Sequence, residues 1–217
     1  MTWTVPNTLT CLRLATAPML VLIFLCLPRP YADWAAVPLF VAASLTDFVD
    51  GHLARGWNQK TKLGGMLDPI ADKAMVVVAL AILIGYSPLG PSWLLLPGTI
   101  ILFREVFVSG LRQFLGATAG TLNVTRLAKW KTTAQMVAIT ILLAQGIFEH
   151  RGMYPVMVTN IPGGTEGALH GIRSLSAASQ VCGWAGLVLL WLAAVLTLVT
   201  GIDYFRKAIP HLTEPRP

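Results

Sequence analysis

Charge is what this sequence has least of. Only 12% of its 217 residues are Asp, Glu, Lys or Arg, while 55% are hydrophobic, and the mean hydropathy is +0.66. Charge this sparse excludes an ordinary soluble domain. With several apolar runs near ~20 residues, it points to an all-α integral membrane protein. Cysteine is scarce as well. Cys11, Cys26 and Cys182 lie in or beside apolar runs without metal-ligand spacing, so they read as small buried hydrophobes. Internal repeats and low-complexity tracts are missing. The first apolar run also lacks the basic flank and small-residue cleavage site of a secretory leader, because Arg13 sits inside it; it reads as a first membrane helix. The formal charge is +6, yet the basic residues flank apolar runs and form no soluble patch. That favours lipid headgroups or phosphate substrates over nucleic acid.

Along the chain, residues 1–9 read as a short interfacial segment, followed by apolar character from about Leu9 to Leu27. A second helix is expected from near Trp34 to about Arg55, and a third from Asp68-Pro69 through Ile84, with proline tolerated in its first turn. A fourth covers Ser92–Leu115. Beyond the Gly- and Thr-rich link 116–125, a fifth runs to about Phe148 and a sixth over Ala178–Thr200, with 149–177 as one long loop. Residues 1–217 thus form a single polytopic domain of six spans. Sorting charge by alternate loops puts Arg29, Arg151 and Arg173 on one side and the rest of the 16 Lys and Arg on the other. By the positive-inside rule both termini face the cytoplasm, and 149–177 lies outside it.

Four of the ten acidic residues fall at the inner ends of the second and third runs: Asp47, Asp50, Asp68 and Asp72. At helical pitch, Asp47 and Asp50 share one face, and Asp68 and Asp72 another. Carboxylates at the edge of an apolar segment repel one another unless something positive sits among them. Hard divalent cations such as Mg2+ or Mn2+ suit such oxygens, and two carboxylates from each of two helices could hold a pair. A metal pair suits phosphoryl transfer. Gly51 and Ala54 share the face of Asp47 and Asp50 and would let a nucleotide approach closely, with Arg55 within reach of a phosphate. The rival reading is a carboxylate-lined ion or solute transporter.

The spacing Asp47-x2-Asp50-Gly51-x2-Ala54-Arg55-x8-Gly64-x3-Asp68-x3-Asp72 matches the signature of the CDP-alcohol phosphotransferase family, which this chain therefore resembles. The resemblance implies an integral membrane enzyme, a homodimer with six membrane helices, that transfers a substituted phosphate from a CDP-activated donor to an alcohol and releases CMP. It implies metal ligation by Asp47, Asp50, Asp68 and Asp72, with Asp72 also deprotonating the acceptor. It further implies donor contacts from Asp47, Asp50, Gly51, Ala54, Arg55 and Asp68. Further segments are similar to the bacterial members that use sn-glycerol 3-phosphate as acceptor: Pro6-Asn7-x2-Thr10-x2-Arg13, Arg55–Gln59, Leu67–Lys73, Arg104-Glu105-Val106 and Lys129–Met136. Asn7 and Thr10 then join the donor contacts. In that subfamily the donor is CDP-diacylglycerol, the product phosphatidylglycerophosphate, and the location the bacterial inner membrane with the site facing the cytoplasm. Inositol phosphate or serine remains an alternative acceptor.

A phosphorylated acceptor needs cations nearby. Arg112, Arg126, Lys129, Lys131 and Lys60 lie at the cytoplasmic ends of the spans and are the candidates. Lys60 and Lys62 are equally explained as topology determinants, as are Arg206 and Lys207. Arg104 and Glu105 are neighbours in sequence and are expected to face apart on a helix, each pairing with another helix or with substrate.

Overall fold

The computed structural model describes residues 5–56, 62–87, 89, 91–116, 126–159 and 166–213; its side chains are described over 7–46, 64–87, 89, 92–116, 130–149 and 174–212. Every regular element there is helical: α1 (Val5–Cys26), α2 (Tyr31–Gly56), α3 (Lys62–Tyr86), α4 (Pro91–Leu115), α5 (Arg126–Thr159) and α6 (Glu166–Thr213). Among the described residues, four stretches are long and apolar enough to cross a membrane: Asn7–Cys26, Ser92–Leu115, Trp130–Glu149 and Ser174–Leu212. By composition and helix length this is a membrane protein. The remaining helices, α2 and α3, carry the charges of the acidic motif towards one end.

Several helix ends differ from expectation. Residues 5–9 begin α1 and form no separate interfacial segment, while 1–4 lie outside the described residues. Helix α3 starts at Lys62, so Pro69 falls inside it and leaves the Gly65 carbonyl without its usual donor. The expected loop 149–177 is largely helical: α5 continues to Thr159 and α6 begins at Glu166. At the other end α6 runs on to Thr213. All these departures have one cause. Hydropathy marks the part of a helix that suits hydrocarbon, whereas backbone hydrogen bonding continues wherever side chains permit it.

The core mixes small and bulky residues along the same helix. Ala32, Ala36, Phe40 and Ala43 form the buried stripe of α2, and Met75, Ala79, Leu80 and Leu83 that of α3. With no aqueous driving force between helices in lipid, close approach at small residues supplies the packing. Gly186 on α6 shows this directly, since a Cβ there would come within 2.7 Å of Leu142 Cγ on α5. Outward faces are apolar instead: Phe103 is 70% and Val106 72% exposed, as a lipid-facing surface requires. At one end of the bundle Arg29 grips buried Asp33 with Nε at 2.9 Å and Nη2 at 2.7 Å, and donates Nη1 to the Tyr86 carbonyl at 2.6 Å. This closes the last turn of α3 against the start of α2. The acidic motif lies at the opposite end.

Candidate active site

Asp68 and Asp72 sit one turn apart on α3, and α1 holds both from behind. Thr10 Oγ1 donates to Asp68 Oδ1 at 2.7 Å, and Arg13 Nη1 donates to Asp72 Oδ1 at 2.9 Å. Thr10 and Arg13 are three apart on one helix and their partners four apart on the next, so two rungs join the same pair of faces. The Arg13 side chain is 1% exposed and that of Asp72 42%. A buried cation therefore orients a carboxylate whose outer side opens into a cavity. Asn7 is buried on α1, one turn before Thr10.

That cavity measures about 400 Å³, and its wall includes Asp68, Asp72, Lys73, Arg104, Glu105, Arg112 and Lys131. Asp68, Asp72 and Lys73 enter from α3. Arg104, Glu105 and Arg112 come from the second half of α4, and Lys131 from the start of α5. The Lys131 side chain is only 6% exposed, a depth at which an ammonium needs a counter-charge. It donates Nζ to Glu105 Oε1, and Arg104 Nη1 donates to the same oxygen at 3.1 Å. Arg104 is also anchored to α6, with Nη2 3.4 Å from Thr200 Oγ1. Gly201 leaves room for it there, because a Cβ would stand 2.9 Å from Arg104 Cγ. Arg112 lies over the Tyr204 ring, 5.2 Å from its centroid, a cation–π contact that holds the guanidinium at the rim.

The structure thus brings Asp68, Asp72, Arg112 and Lys131 around one cavity, with Thr10 directly behind Asp68. Asp47, Asp50, Gly51, Ala54 and Arg55 belong to the last turns of α2, and Arg126 and Lys129 to the first turn of α5, but their side chains lie outside the described residues, as does Lys60 entirely. Among the described residues no cluster of three metal-ligating side chains is present. The described carboxylates, Asp68 and Asp72, offer hard oxygen atoms on a single face, which could hold Mg2+ or Mn2+ rather than a thiophilic metal.

A cavity that joins the α3 carboxylates to several cations fits the sequence signature. The family model for CDP-alcohol phosphatidyltransferase matches residues 3–199. The chain belongs to this family. It is 54% identical to a CDP-diacylglycerol--glycerol-3-phosphate 3-phosphatidyltransferase of Cereibacter sphaeroides, over all of both chains. Relatives of the same name from Rickettsia bellii, at 37% identity over 93% of each chain, and from Escherichia coli, at 38% over 66% of this chain and 78% of the relative, are also similar.

Two features of this family member go beyond their sequence reading. Arg13 looked like an interruption of an apolar run, yet it is the partner of Asp72. An ionisable residue inside such a run is by default a functional candidate, and that signal was available. Arg104 and Glu105 were expected to face apart but are hydrogen-bonded to each other. Their Cα directions do diverge; the long Arg104 side chain turns back along the cavity wall, where Glu105 also points to meet Lys131. The other half of that expectation agrees with the structure, for each also bonds a residue of another helix.

Proposed function

We propose that this protein transfers the phosphatidyl group of CDP-diacylglycerol to sn-glycerol 3-phosphate, giving phosphatidylglycerophosphate and CMP. The observation that carries this reading is the single cavity that sets the α3 carboxylates opposite Arg104, Arg112 and Lys131. The names of the most similar relatives support the choice of donor and acceptor.

Asp68 and Asp72, together with Asp47 and Asp50, would hold a pair of Mg2+ or Mn2+ ions, whose bound charge neutralises the pyrophosphate of the donor. By the family resemblance Arg55, Gly51 and Ala54 would contact the CDP group, with Asn7 and Thr10 of α1 as further donor contacts. The primary hydroxyl of the acceptor attacks the phosphorus that bears diacylglycerol, and the bond from that phosphorus to the CMP oxygen breaks. Asp72 takes the hydroxyl proton. Arg13, fixed on Oδ1, keeps the carboxylate turned towards the cavity. The acceptor's own phosphate meets Lys131, Arg112 and Arg104 on the far wall, with Arg126, Lys129 and Lys60 as further candidates. Charge-assisted hydrogen bonds to a phosphate dianion favour a phosphorylated acceptor over serine.

All six helices cross the bacterial inner membrane in this reading. Asp68 and Asp72 lie early in α3, Arg104 and Arg112 in the second half of α4, Lys131 early in α5 and Thr200 in the second half of α6. They meet at one end, as alternating helix directions require. Charge asymmetry puts that end and both termini in the cytoplasm. The family resemblance adds a homodimer to this reading. Replacing Lys131 by alanine tests the acceptor wall: the KM for sn-glycerol 3-phosphate should rise about 10-fold or more with the CDP-diacylglycerol KM within about twofold. An unchanged acceptor KM would remove Lys131 from the pocket.

A further inference from the structure

The proposed chemistry leaves one acid of the cavity wall unused. Glu105 lies inside the apolar stretch Ser92–Leu115, where an ionisable side chain needs a reason to be present. Its carboxylate cannot itself bind a phosphate, because like charges repel. It does something else: one oxygen, Oε1, accepts from Lys131 Nζ of α5 and from Arg104 Nη1 of its own helix. Lys131 is a flexible point charge whose amine has four carbons of freedom. Arg104 is restrained by Thr200 and by the close backbone at Gly201. Glu105 therefore joins a cation on a flexible stem to a restrained one at the cavity wall. Without it, two positive groups would be left side by side, and the lysine would swing away from the arginine.

We propose that Glu105 is a positioning residue for the acceptor: it acts through Lys131, holding that amine and the Arg104 guanidinium as one preformed site for the phosphate of the incoming alcohol. The inference rests on the acceptor-wall reading given above. It predicts an effect on acceptor affinity that is absent once Lys131 is gone. A purely structural role would affect stability and both substrates alike.

The test compares Glu105→Gln, Glu105→Asp, Lys131→Ala and the double variant Glu105→Gln/Lys131→Ala in purified full-length protein, with kcat and both KM values and thermal stability measured for each. Glu105→Gln should raise the KM for sn-glycerol 3-phosphate about 10-fold with the donor KM within about twofold, as expected for loss of a charge-assisted contact. Glu105→Asp, which keeps the charge on a shorter arm, should recover part of that loss and serves if Glu105→Gln folds poorly. The double variant should match Lys131→Ala alone, because residues that act as a unit are not additive. Multiplying effects, equal rises in both KM values, or a fall in the acceptor KM on removing Glu105 would each overturn the inference while leaving the acceptor wall intact. If Lys131→Ala itself leaves the acceptor KM unchanged, the acceptor-wall reading fails, and the inference with it.

Discussion

Replacing Arg13 by glutamine removes the cation that orients Asp72, and the structure sets the scale of the loss. The pair is 2.9 Å apart, with the arginine side chain 1% and the aspartate 42% exposed. Two unit charges about 4 Å apart at an effective dielectric near 20 interact by roughly 4 kcal/mol. The open aspartate end lets solvent screen part of this, which leaves roughly 1–3 kcal/mol. If that energy is spent on holding the carboxylate where a proton must be taken, turnover falls about 5- to 150-fold. CMP release by detergent-purified protein at saturating donor and acceptor gives kcat directly, with a thermal melt beside it because a buried side chain is shortened. Arg13→Lys keeps the charge without the planar fork and should fall between the two. Turnover of Arg13→Gln within twofold of the parent, in protein that melts normally, would refute the reasoning.

Asp72→Asn itself should abolish turnover while CDP-donor binding is retained, as titration with CDP-diacylglycerol would show; normal turnover would take the proton-accepting role from Asp72. Chelation by EDTA should stop CMP release, and added Mg2+ or Mn2+ should restore it, whereas metal-independent turnover would exclude the carboxylate-held ions. Gly201→Ala places a methyl group against Arg104 and should raise the acceptor KM more than the donor KM, with steady-state kinetics as the readout. Gly186→Ala drives a Cβ into buried Leu142 and should cost roughly 1–3 kcal/mol of stability in a denaturation experiment, leaving both KM values of the folded fraction unchanged.

How far sequence could be read differs from residue to residue. Asp68 and Asp72 were legible because their four-residue spacing fixes a common face of any helix that contains them. The α4 and α5 cations were legible because charge at the end of an apolar run is rare enough to stand out. The partner of Asp72 was not, since Arg13 lies 59 residues away and helix pairing leaves no local mark. Helix ends were misread wherever polarity returned before hydrogen bonding stopped, as at Glu166 and Thr159. The Arg29–Asp33–Tyr86 clasp was invisible for a similar reason: Arg29 reads as a topology charge, and its acceptor on α3 is a backbone carbonyl. Adjacent Arg104 and Glu105 were misjudged because a helical wheel places Cα directions, not the ends of long side chains.

The measurement that bears most directly on the whole account is an acceptor competition with purified protein. CDP-diacylglycerol and Mg2+ are supplied with equal amounts of labelled sn-glycerol 3-phosphate, inositol phosphate and serine, and lipid products are followed together with CMP. The account predicts phosphatidylglycerophosphate as the labelled lipid, with one CMP released for each. CMP release driven by a different acceptor would contradict the assignment of the second substrate. No CMP release with any of the three would contradict the phosphatidyl-transfer chemistry assigned to the cavity between Asp72 and Lys131.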